Sequence, residues 1–228
     1  MNTIAANLQG VNSRIEQSAR RAGRDPRDIV LVAVTKTFGP EAIRAAYAAG
    51  QRDFGESYAQ EALEKMPQLA DLDIVWHFIG PIQSNKTRPI AESFAWVHSV
   101  DRLKIAERLS AQRPERLPPL QLCIEVNVSG EATKAGVVPA EVQAMARAVS
   151  RLSRVRLRGL MAIPEPTDDR ALQRRRFESL RELRDSLNRD GFALDTLSMG
   201  MSDDFEVAIA AGSTMVRVGT AIFGPRAK

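Results

Sequence analysis

Lys36 is the first residue whose type and position suggest chemistry, because it lies two residues after a continuous apolar run. The run, Ile29–Val34, is rich in β-branched residues and is typical of a strand buried on both faces. An amine that loses part of its hydration at a strand end has a lowered pKa and acts as a nucleophile toward carbonyl carbons. The alternative is a structural lysine that only extends its ammonium group into water.

Two segments near the C-terminus contain the residue types of a phosphate site. Ser198–Asp204 includes Ser202, and Arg217–Thr220 includes Gly219. Glycine lets backbone N–H groups approach an anion closely, and hydroxyls next to predicted helix starts add further donors. Either segment alone is equally consistent with an ordinary turn and a helix N-cap. Their joint presence favours phosphate binding.

The elements that must position these residues alternate along the chain between short apolar runs and amphipathic helical stretches. Ile4, Leu8, Val11 and Ile15 predict a helix before the first strand. Eight strands interleaved with helices predict a single α/β domain over residues 1–228, a (β/α)8 TIM-type barrel with an extra N-terminal helix. The predicted strands are Ile29–Val34, Arg52–Gly55, Ile74–Ile79, Trp96–Val100, Leu120–Val128, Leu157–Ile163, Thr196–Met199 and Met215–Val218.

An open doubly wound sheet is the rival architecture. The sequence has neither the glycine fingerprint of dinucleotide-binding folds after the first strand nor a Walker A loop. The barrel is therefore preferred, and in barrels the functional groups gather at the C-terminal ends of the strands.

Closure of the barrel pairs the first strand with the eighth and so places Lys36 beside Gly219 and Thr220. A nucleophilic amine next to a phosphate pocket suits pyridoxal 5'-phosphate (PLP), which carries an aldehyde and a phosphate. It equally suits a Schiff-base aldolase that acts on a phosphorylated sugar. Position alone does not separate these two hypotheses.

Motifs spread over almost the whole chain carry a family resemblance. The sequence resembles the YggS/PROSC family of PLP-binding proteins, which is similar to the barrel domain of alanine racemase. The matching segments are Val32–Lys36, Phe54–Glu56, Trp76–Gly80, Gln83–Lys86, Arg158–Met161, Ser198–Asp204 and Arg217–Gly224.

The resemblance implies that Lys36 holds PLP as an aldimine, and it assigns no catalytic or metal-binding residue. It implies a role in intracellular PLP homeostasis, in which the cofactor is stored and delivered to PLP-dependent acceptor enzymes. Arg217 would lie against the pyridine nitrogen, as an arginine does in the related racemases. The residues that the resemblance places at the cofactor are Lys36, Ser57, Met199, Ser202, Arg217, Gly219 and Thr220.

Two positions leave questions open within the resemblance. Ser57 stands where the family usually has asparagine, so the resemblance does not carry a cofactor contact of that amide over to this position. Lys86 belongs to a matching segment, but whether it carries a second cofactor is undecided.

Two other functions remain as alternatives. The first is a low-activity PLP-dependent amino-acid racemase or related enzyme. The related racemases take an acid/base group from a second domain, and this chain ends soon after the eighth strand, so we expect an open cleft and cofactor transfer. The second is nucleic-acid binding, suggested by a net charge of +4. The basic residues are scattered without interleaved aromatics, so no nucleic-acid partner is expected.

Composition and the remaining polar residues exclude several classes. No apolar run is long enough to span a membrane, and no secretory signal opens the chain. The single cysteine, Cys123, cannot form an internal disulfide, which fits the cytoplasm. His77 and His98 lack the spacing of a zinc site, so we interpret His77 as a hydrogen-bonded structural histidine.

Overall fold

Eight parallel strands close into one barrel in the computed structural model, which describes residues 3–130 and 135–225. Each strand pairs with the next one along the chain, and the eighth pairs with the first, which confirms the predicted (β/α)8 architecture. Residues 1–2, 131–134 and 226–228 of the predicted domain lie outside the described residues. The strands are β1 Val30–Val34, β2 Asp53–Glu56, β3 Val75–Phe78, β4 Trp96–Val100, β5 Leu120–Glu125, β6 Val155–Met161, β7 Thr196–Ser198 and β8 Met215–Val218.

Helices connect the strands on the outside of the barrel, as parallel strands require. Short 3₁₀ turns at Pro26–Asp28, Met66–Leu69, Ser84–Lys86 and Pro139–Glu141 supplement them. The helices are α1 Ile4–Arg21, α2 Pro40–Ala48, α3 Ala59–Lys65, α4 Thr87–Ser93, α5 Leu103–Gln112, α6 Val142–Val149, α7 Arg170–Arg189, α8 Phe205–Ala210 and α9 Thr220–Phe223.

The extra N-terminal helix α1 packs against α8 and α9 and is present as predicted. Thr3 caps it by accepting a hydrogen bond from the Ala6 N–H at 3.2 Å. Its apolar stripe, which includes Leu8, Val11 and Ile15, is buried. The periodicity therefore reported the buried face of α1 correctly.

Six of the eight strands differ from the prediction at one or both ends, and only β4 and β8 match it fully. The difference exceeds one residue only at the end of β5 and at both ends of β6, which ends at Met161, two residues before the predicted limit. Strand β5 ends at Glu125, because the next residue, Val126, leaves the ladder and forms an isolated bridge with Val137. Strand β6 begins at Val155, two residues earlier than predicted. Exposed Arg156 alternates with buried apolar neighbours there, so the first half of β6 has the period-2 pattern of a half-buried strand.

None of the helices within residues 3–130 and 135–225 has both the length and the apolar character needed to cross a membrane.

Strands β6 and β7 approach each other so closely at Gly159 that no side chain fits. A Cβ atom on this residue would lie 1.8 Å from the Thr196 carbonyl oxygen, which is part of the neighbouring backbone. The pairing of Gly159 with Thr196 in the barrel therefore requires glycine.

We expect Gly159→Ala to lower the free energy of unfolding by about 3 kcal/mol or more, because backbone must move to admit the methyl group. Gly10→Ala is the matched control, since a Cβ at this helical glycine meets nothing within 4 Å. We expect that change to stabilise the protein by roughly 0.5–1 kcal/mol. Equal effects of the two changes in chemical denaturation would contradict this account.

Candidate functional site

The predicted site residues gather at the C-terminal mouth of the barrel. They follow or end four strands, β7, β8, β1 and β2, that are consecutive around the closed sheet. Ala33 in β1 pairs with Val218 in β8, so the chain segments that follow these two residues leave the sheet side by side. The structure thus brings together the segments that follow β1 and β8, as closure of the predicted barrel requires.

Lys36 leaves the end of β1 beside the start of α9. It is half-buried, Gly219 is half-buried and Thr220 is exposed. A Cβ on Gly219 would lie 3.2 Å from the Val34 carbonyl oxygen, so glycine keeps space open next to the end of β1. The first N–H groups of α9 have no acceptors within the helix and are available to a ligand at this mouth.

The loop after β7 brings Ser202, half-buried, to the same mouth. Gly200 adopts φ = 98°, a conformation that favours glycine. Asp204 fixes the following turn by accepting a hydrogen bond from the Met201 N–H at 2.6 Å. Burial raises the pKa of this carboxyl group, and the Met201 hydrogen bond opposes the rise. The carboxylate therefore organises the loop that presents Ser202.

Two further predicted site residues, Met199 and Ser57, offer fewer hydrogen-bonding groups to a ligand. Met199 is fully buried, and its backbone N–H and carbonyl already bond to Met215 and Ser213 at 3.1 and 2.7 Å. Any contact it makes with a cofactor must come from its side chain. Ser57 is half-buried directly after β2, and its backbone lies against Gly80, where a Cβ would sit 2.0 Å from the Ser57 oxygen. Lys86 lies farther around the mouth, at the end of a 3₁₀ turn.

Arg217 is clamped inside the barrel. Its Nη1 donates to the carbonyl oxygen and the hydroxyl of Ser198, both at 2.7 Å, and its Nη2 donates to the Ala162 carbonyl at 3.0 Å. Burial lowers its pKa to about 10, while the nearby carboxylates of Glu125 and Asp204 oppose the drop. The guanidinium therefore remains charged at neutral pH and is held in one orientation.

A continuous chain of hydrogen bonds extends from Arg217 through the barrel. Ser198 Oγ lies 2.7 Å from His98 Nδ1, His98 Nε2 lies 2.9 Å from His77 Nδ1, and His77 Nε2 lies 3.0 Å from Asp53 Oδ1. Strands β4 and β7 are not neighbours in the sheet, so the contact between His98 and Ser198 crosses the interior. His77 is thus the hydrogen-bonded structural histidine that the sequence predicted.

One arrangement of protons satisfies this whole chain, which we call the histidine relay. Ionised Asp53 accepts from His77 Nε2–H, which leaves His77 Nδ1 to accept from His98 Nε2–H. His98 Nδ1 then accepts the Ser198 hydroxyl proton, and Ser198 Oγ accepts from Arg217. Burial lowers the pKa of both histidines, which keeps them neutral as this arrangement requires.

Glu125 is a titratable residue near the site that sequence analysis did not select. It ends β5, is 8% exposed, and interacts electrostatically with the positive charge of Arg217. Burial raises its pKa to about 7; Asp101 adds to the rise and Arg217 opposes it. Its only sequence signal was a carboxylate at a strand end, which does not reveal burial.

Other candidate chemistries find no support in the described residues. Across residues 3–130 and 135–225, no group of three or more His, Cys, Asp or Glu side chains is placed to hold a metal ion. Cys123 is buried, and burial raises the pKa of its thiol to about 12, so it is not a nucleophile at neutral pH.

The residues at the mouth fit a phosphorylated aldehyde. Lys36 supplies an amine, Ser202 and Thr220 supply hydroxyls, and the space beside Gly219 lets backbone N–H groups approach an anion. Arg217 supplies a fixed positive charge below the mouth. This donor set suits a ligand with a phosphate at one end and a carbonyl group at the other.

We expect the stability of the protein to depend on Glu125 between about pH 4.5 and 7. Its pKa is higher in the folded state than in the unfolded chain, so the folded state binds more protons there and stability falls as pH rises. Glu125→Gln cannot titrate, so its free energy of unfolding does not fall in this way. Between pH 5 and pH 8 it should therefore rise by on the order of 3 kcal/mol relative to that of wild type.

Chemical denaturation across this pH range measures the effect of Glu125. Glu107→Gln, which changes an exposed carboxylate on α5, supplies the background. A stability difference between Glu125→Gln and wild type that stays constant with pH would show that Glu125 does not titrate as described.

The histidine relay makes a separate prediction. We expect His98→Phe to destabilise the protein by about 2–4 kcal/mol, because it leaves buried groups of Ser198 and His77 without partners. His98→Gln keeps one hydrogen-bond donor and one acceptor, so it should lower the free energy of unfolding clearly less than His98→Phe does. Thermal and denaturant unfolding of the pair would reveal whether the loss follows hydrogen bonding; equal losses would indicate a packing effect alone.

Comparison with known proteins identifies the family of this chain. A family model described as the N-terminal domain of alanine racemase matches residues 6–227. A protein of Pseudomonas aeruginosa named pyridoxal phosphate homeostasis protein is 62% identical over 226 residues, which cover 99% of this chain and 97% of that protein.

Solved structures give the same result. PipY of Synechococcus elongatus, solved with PLP bound, matches with a TM-score of 0.82 and 40% identity over 92% of this chain and 100% of PipY. Alanine racemase from Corynebacterium glutamicum matches at 16% identity with a TM-score of 0.71, over 96% of this chain and 62% of the racemase, and this likeness shows the shared fold. The chain therefore belongs to the alanine racemase N-terminal domain family, within its group of pyridoxal phosphate homeostasis proteins.

Proposed function

We propose that this protein binds PLP through Lys36 and holds it in exchangeable form for intracellular PLP homeostasis, with the whole chain acting as one cofactor-binding unit. The observation that supports the proposal is the parallel pairing of β1 with β8, in which Ala33 lies opposite Val218, so that the segments carrying Lys36 and Gly219–Thr220 leave the sheet side by side. The relative from Pseudomonas aeruginosa is named pyridoxal phosphate homeostasis protein, and PipY was solved with PLP bound.

Lys36 performs the covalent part of binding. Once deprotonated, its amine would join the aldehyde carbon through a carbon–nitrogen double bond, with the aldehyde oxygen released as water. PLP bound in this way can act as an electron sink for amino-acid chemistry. Ser202, Thr220 and the first N–H groups of α9 bind the phosphate, and Gly219 keeps the approach open.

Arg217 favours cofactor holding over catalysis. Its guanidinium remains charged, and three hydrogen bonds fix its orientation. A fixed positive charge at the pyridine nitrogen would keep that nitrogen unprotonated and weaken the ring as an electron sink. We therefore assign no catalytic residue and expect no substantial turnover.

Exposure of the mouth supports exchange with partners. Thr220 is exposed, and Tyr58, which follows β2, is 55% exposed. Lys36 is half-buried, so a free amine or an acceptor enzyme can reach the bond that it forms. The proposed partners are PLP-dependent enzymes. The proposed location is the cytoplasm, where the lone thiol of Cys123 stays reduced.

A PLP-dependent amino-acid enzyme is the second candidate, favoured by the fold shared with alanine racemase. Such an enzyme needs an acid/base group beside the cofactor. Tyr58 lies at the mouth, whereas the Tyr47 hydroxyl accepts the Asp73 N–H at 3.3 Å on the outer surface. Turnover of an amino acid that disappears in Lys36→Ala would favour this candidate.

We expect purified protein mixed with PLP to develop the absorption band of a lysine-linked cofactor, and we expect Lys36→Ala to abolish that band. Without the amine no carbon–nitrogen bond forms at the site. Lys104→Ala, which removes an exposed lysine on α5, is the matched control and should keep the band.

Mass spectrometry after borohydride reduction identifies the lysine that is modified. A wild-type protein without the band, or a Lys36→Ala variant that retains it unchanged, contradicts the proposal. Strongly salt-dependent binding to RNA or DNA that is the same in Lys36→Ala and wild type would instead favour nucleic-acid binding.

A further inference from the structure

The backbone that carries Lys36 adopts a strained turn. Thr37 has φ = 71°, and a β-branched residue rarely adopts this left-handed conformation. The turn is closed by a hydrogen bond of 3.0 Å from the Phe38 N–H to the Thr35 carbonyl. Such strain persists only where surrounding contacts over-determine the backbone.

Contacts on both sides of Lys36 supply that constraint. The Thr35 hydroxyl donates to Glu56 Oε1 at 2.7 Å, and the Thr35 carbonyl accepts from Lys65 Nζ at 2.9 Å. On the other side, the Thr37 N–H donates to Glu61 Oε1 at 2.6 Å. Glu56 ends β2, whereas Glu61 and Lys65 lie on α3.

Lys65 joins these contacts into one cluster. Its Nζ lies 2.9 Å from Glu56 Oε1, 2.5 Å from Glu61 Oε1 and 2.9 Å from the Thr35 carbonyl oxygen. An ammonium group has three N–H donors, so these three acceptors satisfy it fully. Lys65 is only 6% exposed and Glu56 is fully buried. We call Glu56, Glu61 and Lys65 the bracing cluster.

The bracing cluster is not arranged for maximal stability. Burial of the Glu56 carboxylate and the Lys65 ammonium carries a large desolvation cost, and a well-packed apolar set is often more stable. Glu56 Oε2 is buried with no hydrogen-bond partner among the described residues, which adds to that cost. A costly cluster that contacts the backbone on both sides of one lysine is consistent with a role in orienting that lysine.

We propose that Lys65 is a positioning residue: together with Glu56 and Glu61 it fixes the strained turn that aims the Lys36 amine at its carbonyl ligand. This inference rests on the proposed function. It also separates the roles of two neighbouring lysines, because the three N–H groups of Lys65 are committed to acceptors while Lys36 forms the bond.

The test compares two steps of binding in Lys65→Met. The rate at which the absorption band develops after mixing with PLP measures attack by Lys36. The dissociation constant of 4'-deoxypyridoxine phosphate, which has the ring and the phosphate but no aldehyde, measures non-covalent binding alone. Lys104→Met is the matched control, and circular dichroism checks that each variant is folded.

We expect band development in Lys65→Met to be roughly tenfold to a hundredfold slower, because small misplacements of a reacting group have effects of this size. Binding of the analogue should be unchanged, since the proposed phosphate-binding residues Ser202, Gly219 and Thr220 lie after β7, after β8 and on α9, away from α3. Lys65→Arg should recover part of the rate, because it restores a charged donor between the same acceptors.

A second variant protects the test against a folding defect. Glu61→Ala removes the contact to Thr37, and its side chain is 27% exposed, so loss of the fold is not expected. It should slow band development without weakening analogue binding. If the rate is unchanged in both variants, or if rate and analogue binding fall together, the positioning role is wrong. A wild type that forms no band overturns the proposed function itself, and this inference with it.

Discussion

The pairing of β1 with β8 is the constraint on which the site depends. It joins the start of the sheet to its end, and so brings Lys36 to Gly219 and Thr220 from opposite ends of the chain. Every intervening strand contributes, because the register of each pair determines whether the last strand meets the first. The close approach at Gly159 is one place where this register has a direct steric requirement.

Two polar networks support the residues near this closure, one around Arg217 and one around the turn that carries Lys36. The histidine relay holds Arg217 from inside the barrel, and the bracing cluster holds the turn of Lys36 from the side of α3. Both are built on strands and helices rather than on long loops. Buried networks of this kind are costly, and they hold one geometry to the extent that their polar groups are satisfied.

A protein that stores and delivers a cofactor must combine a well-oriented amine with access for partners. Here the orientation comes from buried groups, while the mouth itself carries the exposed residues Tyr58 and Thr220. Glu125 adds a buried carboxyl group whose pKa is raised to about 7 and which interacts electrostatically with Arg217, so its charge changes near neutral pH. Under the proposed function, different residues would perform holding and release, so the two could be adjusted separately.

The sequence by itself determined the parallel barrel, its extra helix and the strand ends where chemistry gathers, because apolar periodicity and turn residues are local signals. It also identified His77 as structural, since no partner ligand lay at a metal-binding spacing. Only the tertiary structure decided that Glu125 is buried near Arg217 and that Lys65 joins Glu56 and Glu61 around the Lys36 turn. The start of β6 was missed because its exposed arginine interrupts the apolar run. For Glu125 and for the bracing cluster the physical reason is the same. Burial and charge pairing arise between segments that are distant in the sequence, so a local sequence pattern does not predict them.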